Sequence, residues 1–238
     1  MRLLPLMLLL PVAPLVAQSP GIPSRQSLSY TIEWRLITAG RARLDWAQRE
    51  AKLHVESVGL VSKLFKVEDD YTAVLNSSLC TQSIHSVTNE GIRHRETRVT
   101  FDPETKKASY LERDTAKNTT ILAKELDIPP CLHDVVGGLI FLRTLNLEPG
   151  QATNIPVSDG KKATMARVEA QQREDVKTPA GTFKAIRYEL FLFNNVLYNR
   201  SAHLYIWVSD DSRKIPVQIR VRLQFTIGTI TLLLDKIE

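Results

Sequence analysis

The stretch HLYIWVSDDSRKIPVQIRVRLQF, residues 203–225, decides the fold. Leu204, Ile206 and Val208 alternate with His203, Tyr205 and Trp207. Ser209-Asp210-Asp211-Ser212 forms a polar turn. Val217, Ile219, Val221, Leu223 and Phe225 then alternate with Gln218, Arg220, Arg222 and Gln224. Successive side chains of a strand point to opposite faces, so each run carries one apolar and one more polar face. On a helix the same residues would scatter around the axis and leave no stripe to bury. Two such runs about a turn predict an antiparallel hairpin.

Working outward, the same period returns. Gly228 interrupts, and Ile230, Leu232 and Leu234 resume the alternation. Near the other end, in SLSYTIEWRLI, Leu28, Tyr30, Ile32, Trp34 and Leu36 point one way, and Ser29, Thr31, Glu33 and Arg35 the other. Thr38-Ala39-Gly40 is the predicted turn, after which Ala42, Leu44 and Trp46 carry the pattern on. Val67, Asp69, Tyr71, Ala73 and Leu75 give a weaker case. Thr178-Pro179-Ala180-Gly181 predicts a turn joining residues 163–176 to 182–193, and Val157-Ser158-Asp159-Gly160 predicts another.

Two segments depart from period two. Residues 58–65 have apolar side chains at helical spacing, enough for two turns. In residues 134–145, Val135, Leu139 and Leu142 recur at spacings four and three, widened by Val136 and Ile140. Asp134 is the predicted N-cap, and Pro129-Pro130 exclude an earlier start. Gly137-Gly138 inside this helix costs about 1 kcal/mol each relative to Ala, which close approach to a sheet would explain. Strands and helices do not alternate, which argues against a parallel α/β sheet. The expectation is a mainly β fold: a large curved antiparallel sheet or half-barrel, with one covering helix near 134–145. A sheet this long must curl to hide its apolar face, and a trough left inside would suit an apolar ligand.

The chain has 238 residues, with 43% hydrophobic and 24% charged residues and a formal net charge of +5. Those values exclude a disordered chain, a collagen and a coiled coil. The opening MRLLPLMLLLPVAPLVAQ has a basic Arg2, then an uncharged apolar run broken by three prolines. It is too short to span a bilayer, which takes roughly 20 helical residues, and predicts a secretory signal over residues 1–17, cleaved between Ala17 and Gln18. Residues 18–26 form a predicted flexible lead, and residues 27–238 a single β-rich domain. No later stretch is long enough to span a membrane, so the mature chain is expected in the periplasm or outside the cell. In that oxidising space Cys80 and Cys131 are expected to pair.

Catalytic signatures are absent. There is no Gly-x-Ser-x-Gly elbow, no phosphate-cradling glycine loop and no His-Glu-x-x-His helix. The histidines at 54, 85, 94, 133 and 203 show no metal-ligand spacing. Cys131-Leu132-His133-Asp134 could pair a thiolate with an imidazole, but a bridged Cys131 and a capping Asp134 account for it better. Strand alternation splits Glu68 and Asp70 from Asp69, so these carboxylates do not converge. The basic stretch GIRHRETRV, residues 91–99, is too small for a nucleic-acid footprint and suits a solvated strand. No catalytic residue, metal ligand or cofactor is predicted, and nucleic acid is not an expected partner.

Several motifs resemble the bacterial domain-of-unknown-function 3108 family. They are Leu28–Trp34 with Ala39–Leu44, Gly59–Asp69 with Tyr71, Arg98–Asp102, His133-Asp134 before Phe141–Leu145, Val176–Phe183, and Ile206–Asp211. Their order fits over residues 27–238, with Gly137-Gly138 a departure. The resemblance implies an exported bacterial protein and supplies no activity or catalytic residue. A looser likeness, of fold alone, is to lipoprotein-carrier half-barrels that hold acyl chains against a helix. The leading expectation is therefore a non-catalytic binding module for an apolar or amphipathic envelope component: a lipid, an acyl chain or a segment of an envelope protein. The alternatives are a secreted hydrolase of glycans or lipids using converging carboxylates, and a structural part of an envelope complex.

Overall fold

The computed structural model describes residues 22–224 and 228–238. The predicted signal over residues 1–17, the predicted cleavage point between Ala17 and Gln18, and Phe225 lie outside the described residues. Fourteen strands and two helices follow in order: β1 (Arg25–Trp34), β2 (Ile37–Ala47), β3 (Glu50–Ser57), α1 (Gly59–Leu64), β4 (Val67–Leu75), β5 (Thr81–Glu90), β6 (Arg93–Asp102), β7 (Lys107–Asp114), β8 (Thr119–Asp127), α2 (Val135–Leu142), β9 (Ala152–Ser158), β10 (Ala163–Thr178), β11 (Gly181–Leu190), β12 (Ala202–Ser209), β13 (Pro216–Leu223) and β14 (Thr229–Ile237). They make one antiparallel sheet in the order β8-β7-β6-β5-β4-β3-β2-β1-β14-β13-β12-β11-β10-β9. Two meanders are thus joined at their first and last strands, where Tyr30 pairs with Leu234 and Ile32 with Leu232. This is the curved antiparallel sheet with a covering helix that the alternation predicts.

Three local expectations change. The first hairpin turns at Arg35-Leu36, not at Thr38-Ala39-Gly40, which lie in β2. Arg35 and Leu36 have φ of 49° and 69°. Positive φ at both central residues of a two-residue loop matches the right-handed twist of the flanking strands. Leu36 therefore leaves the inward row and stands in solvent, 96% exposed. The predicted lead ends early, because Arg25 and Gln26 already pair with Ala47 and Trp46. The strand predicted over 182–193 stops at Leu190, after which the chain loops to β12.

Helix α2 fills the curl. Its sequence VVGGLIFL has no polar face, as befits a helix buried on several sides rather than lying on a surface. Val136 and Ile140 pack into the core of β1–β4 and β14, around Leu28, Leu44 and Leu75. Leu142 packs into the core of β9–β13. Arg143, 1% exposed, donates from Nε to the Lys214 carbonyl (2.9 Å) and from Nη2 to the Arg213 carbonyl (3.1 Å), fastening the helix end to the β12–β13 turn.

The two open edges meet through side chains and a strut. Residues 131–134 run between the sheet halves. Thr81 N–H donates to the Leu132 carbonyl, and His133 exchanges backbone bonds with Pro156 and Ser158 of β9. Cys80 and Cys131 are joined in a disulfide that ties this strut to the start of β5. The β9–β10 turn presses onto β6 and β7. A Cβ on Gly160 (φ +84°) would lie 2.7 Å from Val99 Cγ2, so only glycine fits there. Beside it, Glu112 accepts from Arg95 (2.7 Å), Tyr110 (2.9 Å) and Lys161 (3.0 Å). On the other flank, a bulge between Ala170 and Gln172 bends β10. Its far half covers the outer side of β12, where Trp207 is buried and donates to Glu174 at 2.7 Å.

Candidate functional site

Between α2 and strands β9–β13 lies a cavity of about 230 Å³. Val135 and Leu139 of α2 form one wall. Ile155, Val157, Val168, Leu190, Leu204, Ile206, Ile219 and Val221 form the sheet wall. The period-two alternation puts these residues there, since every second side chain of five neighbouring strands points inward. The β11–β12 loop closes a third side with Leu192, Phe193, Leu197 and Tyr198. Val135 is 48% exposed and marks the opening. Gly138 faces this space: a Cβ there would meet only His133 Cβ, at 3.8 Å.

The polar boundary is Asp134, 1% exposed. Its Oδ1 accepts from Thr81 Oγ1 (2.7 Å) and Gly137 N–H (3.1 Å), and its Oδ2 from Tyr71 Oη (2.8 Å) and Val136 N–H (2.9 Å). Four donors occupy the carboxylate, which caps α2 as its position before the apolar run predicts. Burial and the facing Asp134 carboxylate raise the Tyr71 hydroxyl far above its usual range. Burial also pushes Tyr198 up to about 12. Both phenols stay neutral, and the wall carries no charge beyond the tethered Asp134. Such a lining holds apolar groups by desolvation.

The remaining predicted groups fall as follows. Cys131 is disulfide-bonded, so it offers no thiolate. His133 bonds through Nδ1 to the Leu79 carbonyl (2.9 Å) and stacks on Phe141 with ring centroids 4.1 Å apart. Burial holds its imidazole below the usual value, against the opposing pull of Leu79 and Asp134. Glu68 and Asp70 are exposed, while Asp69 is half-buried and accepts from Asn89 N–H at 2.9 Å. Among the described residues no cluster of three or more His, Cys, Asp or Glu could hold a metal ion. None of their helices is long and apolar enough to cross a membrane.

Sequence reasoning missed the β11–β12 loop and the partners of Asp134. Of the loop's Leu192, Phe193 and Leu197, the first two end the strand predicted over 182–193, and only Leu197 stands outside any predicted strand. Tyr71 and Thr81 carried no signal, because their meeting with Asp134 depends on how far the sheet curls.

Residues 29–235 match the family described as Protein of unknown function (DUF3108). The chain belongs to that family. Among solved structures, it is similar to a β-barrel-like protein of the DUF1849 family from Brucella abortus, at 8% identity and a TM-score of 0.55. That match covers 90% of this chain and 97% of the other. It is similar also to a DUF1089-family protein from Pseudomonas aeruginosa, at 13% identity and a TM-score of 0.35, over 85% and 91% of the two chains. No curated protein matches the sequence. For this DUF3108 chain the Brucella likeness shows the β-barrel-like fold alone.

Proposed function

We propose that this protein is a non-catalytic binding module of the bacterial envelope whose cavity takes one acyl chain of a lipid. The observation that carries the reading is the cavity itself: open at Val135, walled by aliphatic side chains from five strands and one helix, and bounded by a carboxylate already fully bonded. At about 230 Å³ it falls below the roughly 300–1,000 Å³ typical of pockets for drug-sized ligands. A single alkyl chain suits it better than a sterol or a folded peptide. The apolar N-terminal run and the Cys80–Cys131 bridge support a site of action outside the cytosol.

Native mass spectrometry of the purified protein with palmitic acid tests this. The expected result is one molecule bound per chain. Filling the cavity with Gly138→Leu or Ala166→Leu displaces about two methylenes at roughly 0.8 kcal/mol each and weakens binding about tenfold. Palmitate bound equally by these variants, or not bound by the unaltered protein, overturns the proposal.

A further inference from the structure

The two ends of the sheet differ in a way that the cavity does not explain. Antiparallel order puts the β7–β8, β9–β10 and β11–β12 connections at one end together with a neighbouring set, β1–β2, β3–β4, β5–β6 and β13–β14. Three of these expose large apolar side chains: Leu36 at 96%, Leu60, Leu64 and Phe65 around α1, and Ile92 at 100%. At the other end, the turns at residues 48–49, 76–80, 103–106, 179–180 and 210–215 expose none. Scattered surface leucines are ordinary, but neighbouring turns with the same character form a patch. The patch is continuous. Gly91 N–H bonds to the Lys66 carbonyl, and the Phe65 ring lies against Gly91. Val58 N–H bonds to the Ala39 carbonyl, which holds α1 against β2 beside the first turn.

The charge of these three turns is one-sided. The connecting residues 35–36, 58–66 and 91–92 contain Arg35, Lys63 and Lys66 and no carboxylate. Directly beside them runs an outer groove of about 580 Å³ lined by Lys177, Arg220 and Arg222, with Glu33 its one acid. Among the described residues Lys177 and Arg222 have no ion pair, and Arg220 lies over the Trp207 ring. Apolar tips flanked by the groove's Lys177, Arg220 and Arg222 match the layering of a bilayer surface, with acyl chains beneath anionic headgroups.

We infer that this end seats on an anionic phospholipid bilayer: Leu36, Leu64 and Ile92 enter the acyl boundary, and phosphates sit over Lys177, Arg220 and Arg222. The inference stands on the turns and the groove and does not rest on the cavity. Sedimentation with vesicles of phosphatidylcholine containing a quarter phosphatidylglycerol tests it, against vesicles of phosphatidylcholine alone. The purified protein is expected to sediment with the anionic vesicles, several-fold more than with neutral ones, and to be released by high salt. The triple variant Leu36→Ser, Leu64→Ser, Ile92→Ser is expected to lose about tenfold or more in partitioning. These side chains are exposed, so its unfolding midpoint should stay unchanged, and Arg220→Gln with Arg222→Gln should remove the preference for anionic vesicles. Absence of vesicle binding overturns the inference, as does equal binding by the triple variant. A dimer that the triple variant abolishes, without vesicle binding, assigns the patch to self-association instead.

Discussion

Asp134 joins the start of α2 to β4 and β5 through one carboxylate. Replacing it with Ala removes the cap of α2 and strands the Tyr71 and Thr81 hydroxyls in the interior. A lost cap costs about 1 kcal/mol and each stranded hydroxyl about as much again, so Asp134→Ala should destabilise by about 3 kcal/mol in urea unfolding. Asp134→Asn keeps one acceptor and should lose about 1 kcal/mol. Next to it, His133 makes stability depend on pH. Burial keeps its folded-state pKa below the unfolded value of about 6.5. The unfolded chain therefore takes up a proton that the folded chain refuses. The contribution of His133 is complete above about pH 6.5 and is lost as pH falls through the folded pKa. Unfolding free energies at about pH 7.5 and pH 5.5 should fall more for the unaltered protein than for His133→Gln. Of these two roles, the cap was legible from Asp134 preceding an apolar run. The histidine's was not, because its neighbours Leu79 and Phe141 come from opposite sides of the strut.

The paired glycines of α2 answer to different neighbours. A Cβ on Gly137 would lie 2.6 Å from Asp134 Oδ1, 2.9 Å from Thr81 Oγ1 and 3.0 Å from Leu75 Cδ2. One on Gly138 would meet nothing nearer than 3.8 Å. Opposite effects are expected: Gly138→Ala should stabilise by about 0.5–1 kcal/mol through lower unfolded-state entropy, and Gly137→Ala should destabilise by disturbing the Asp134 bonds. Thermal unfolding of the two single variants separates them, and a common sign would refute the geometry. Period two was enough to read the strands as elements, because each buries one face. Their ends were harder. The first turn was displaced from Gly40 to Arg35-Leu36 because twist matching, rather than glycine content, chose the loop.

At the scale of the molecule, the sheet is open by topology and held shut by local ties. The Cys80–Cys131 bridge spans 51 residues. On chain-entropy grounds a link of that span contributes about 2–4 kcal/mol. The double variant Cys80→Ala, Cys131→Ala should lose that much in urea unfolding while keeping its β circular-dichroism signal, since the hydrogen-bonded ladders are independent of the bridge. A curved sheet was legible from the alternation and from the single apolar helix. Its strand order was not, because alternation is blind to which strands become neighbours. The cavity depended on that order: Ile219 and Val221 reach it only because β13 lies between β12 and β14.

The meeting of β1 with β14 has a kinetic consequence. Each meander can zip up from nearest neighbours, but the seam between them joins residues some 200 positions apart, as with Leu28 and Ile237. Loop-closure entropy makes such a contact slow to form. During synthesis, the first strand must wait with one flank unclaimed until the last arrives. A chaperone meeting the unfinished chain would find that bare flank the natural place to intervene.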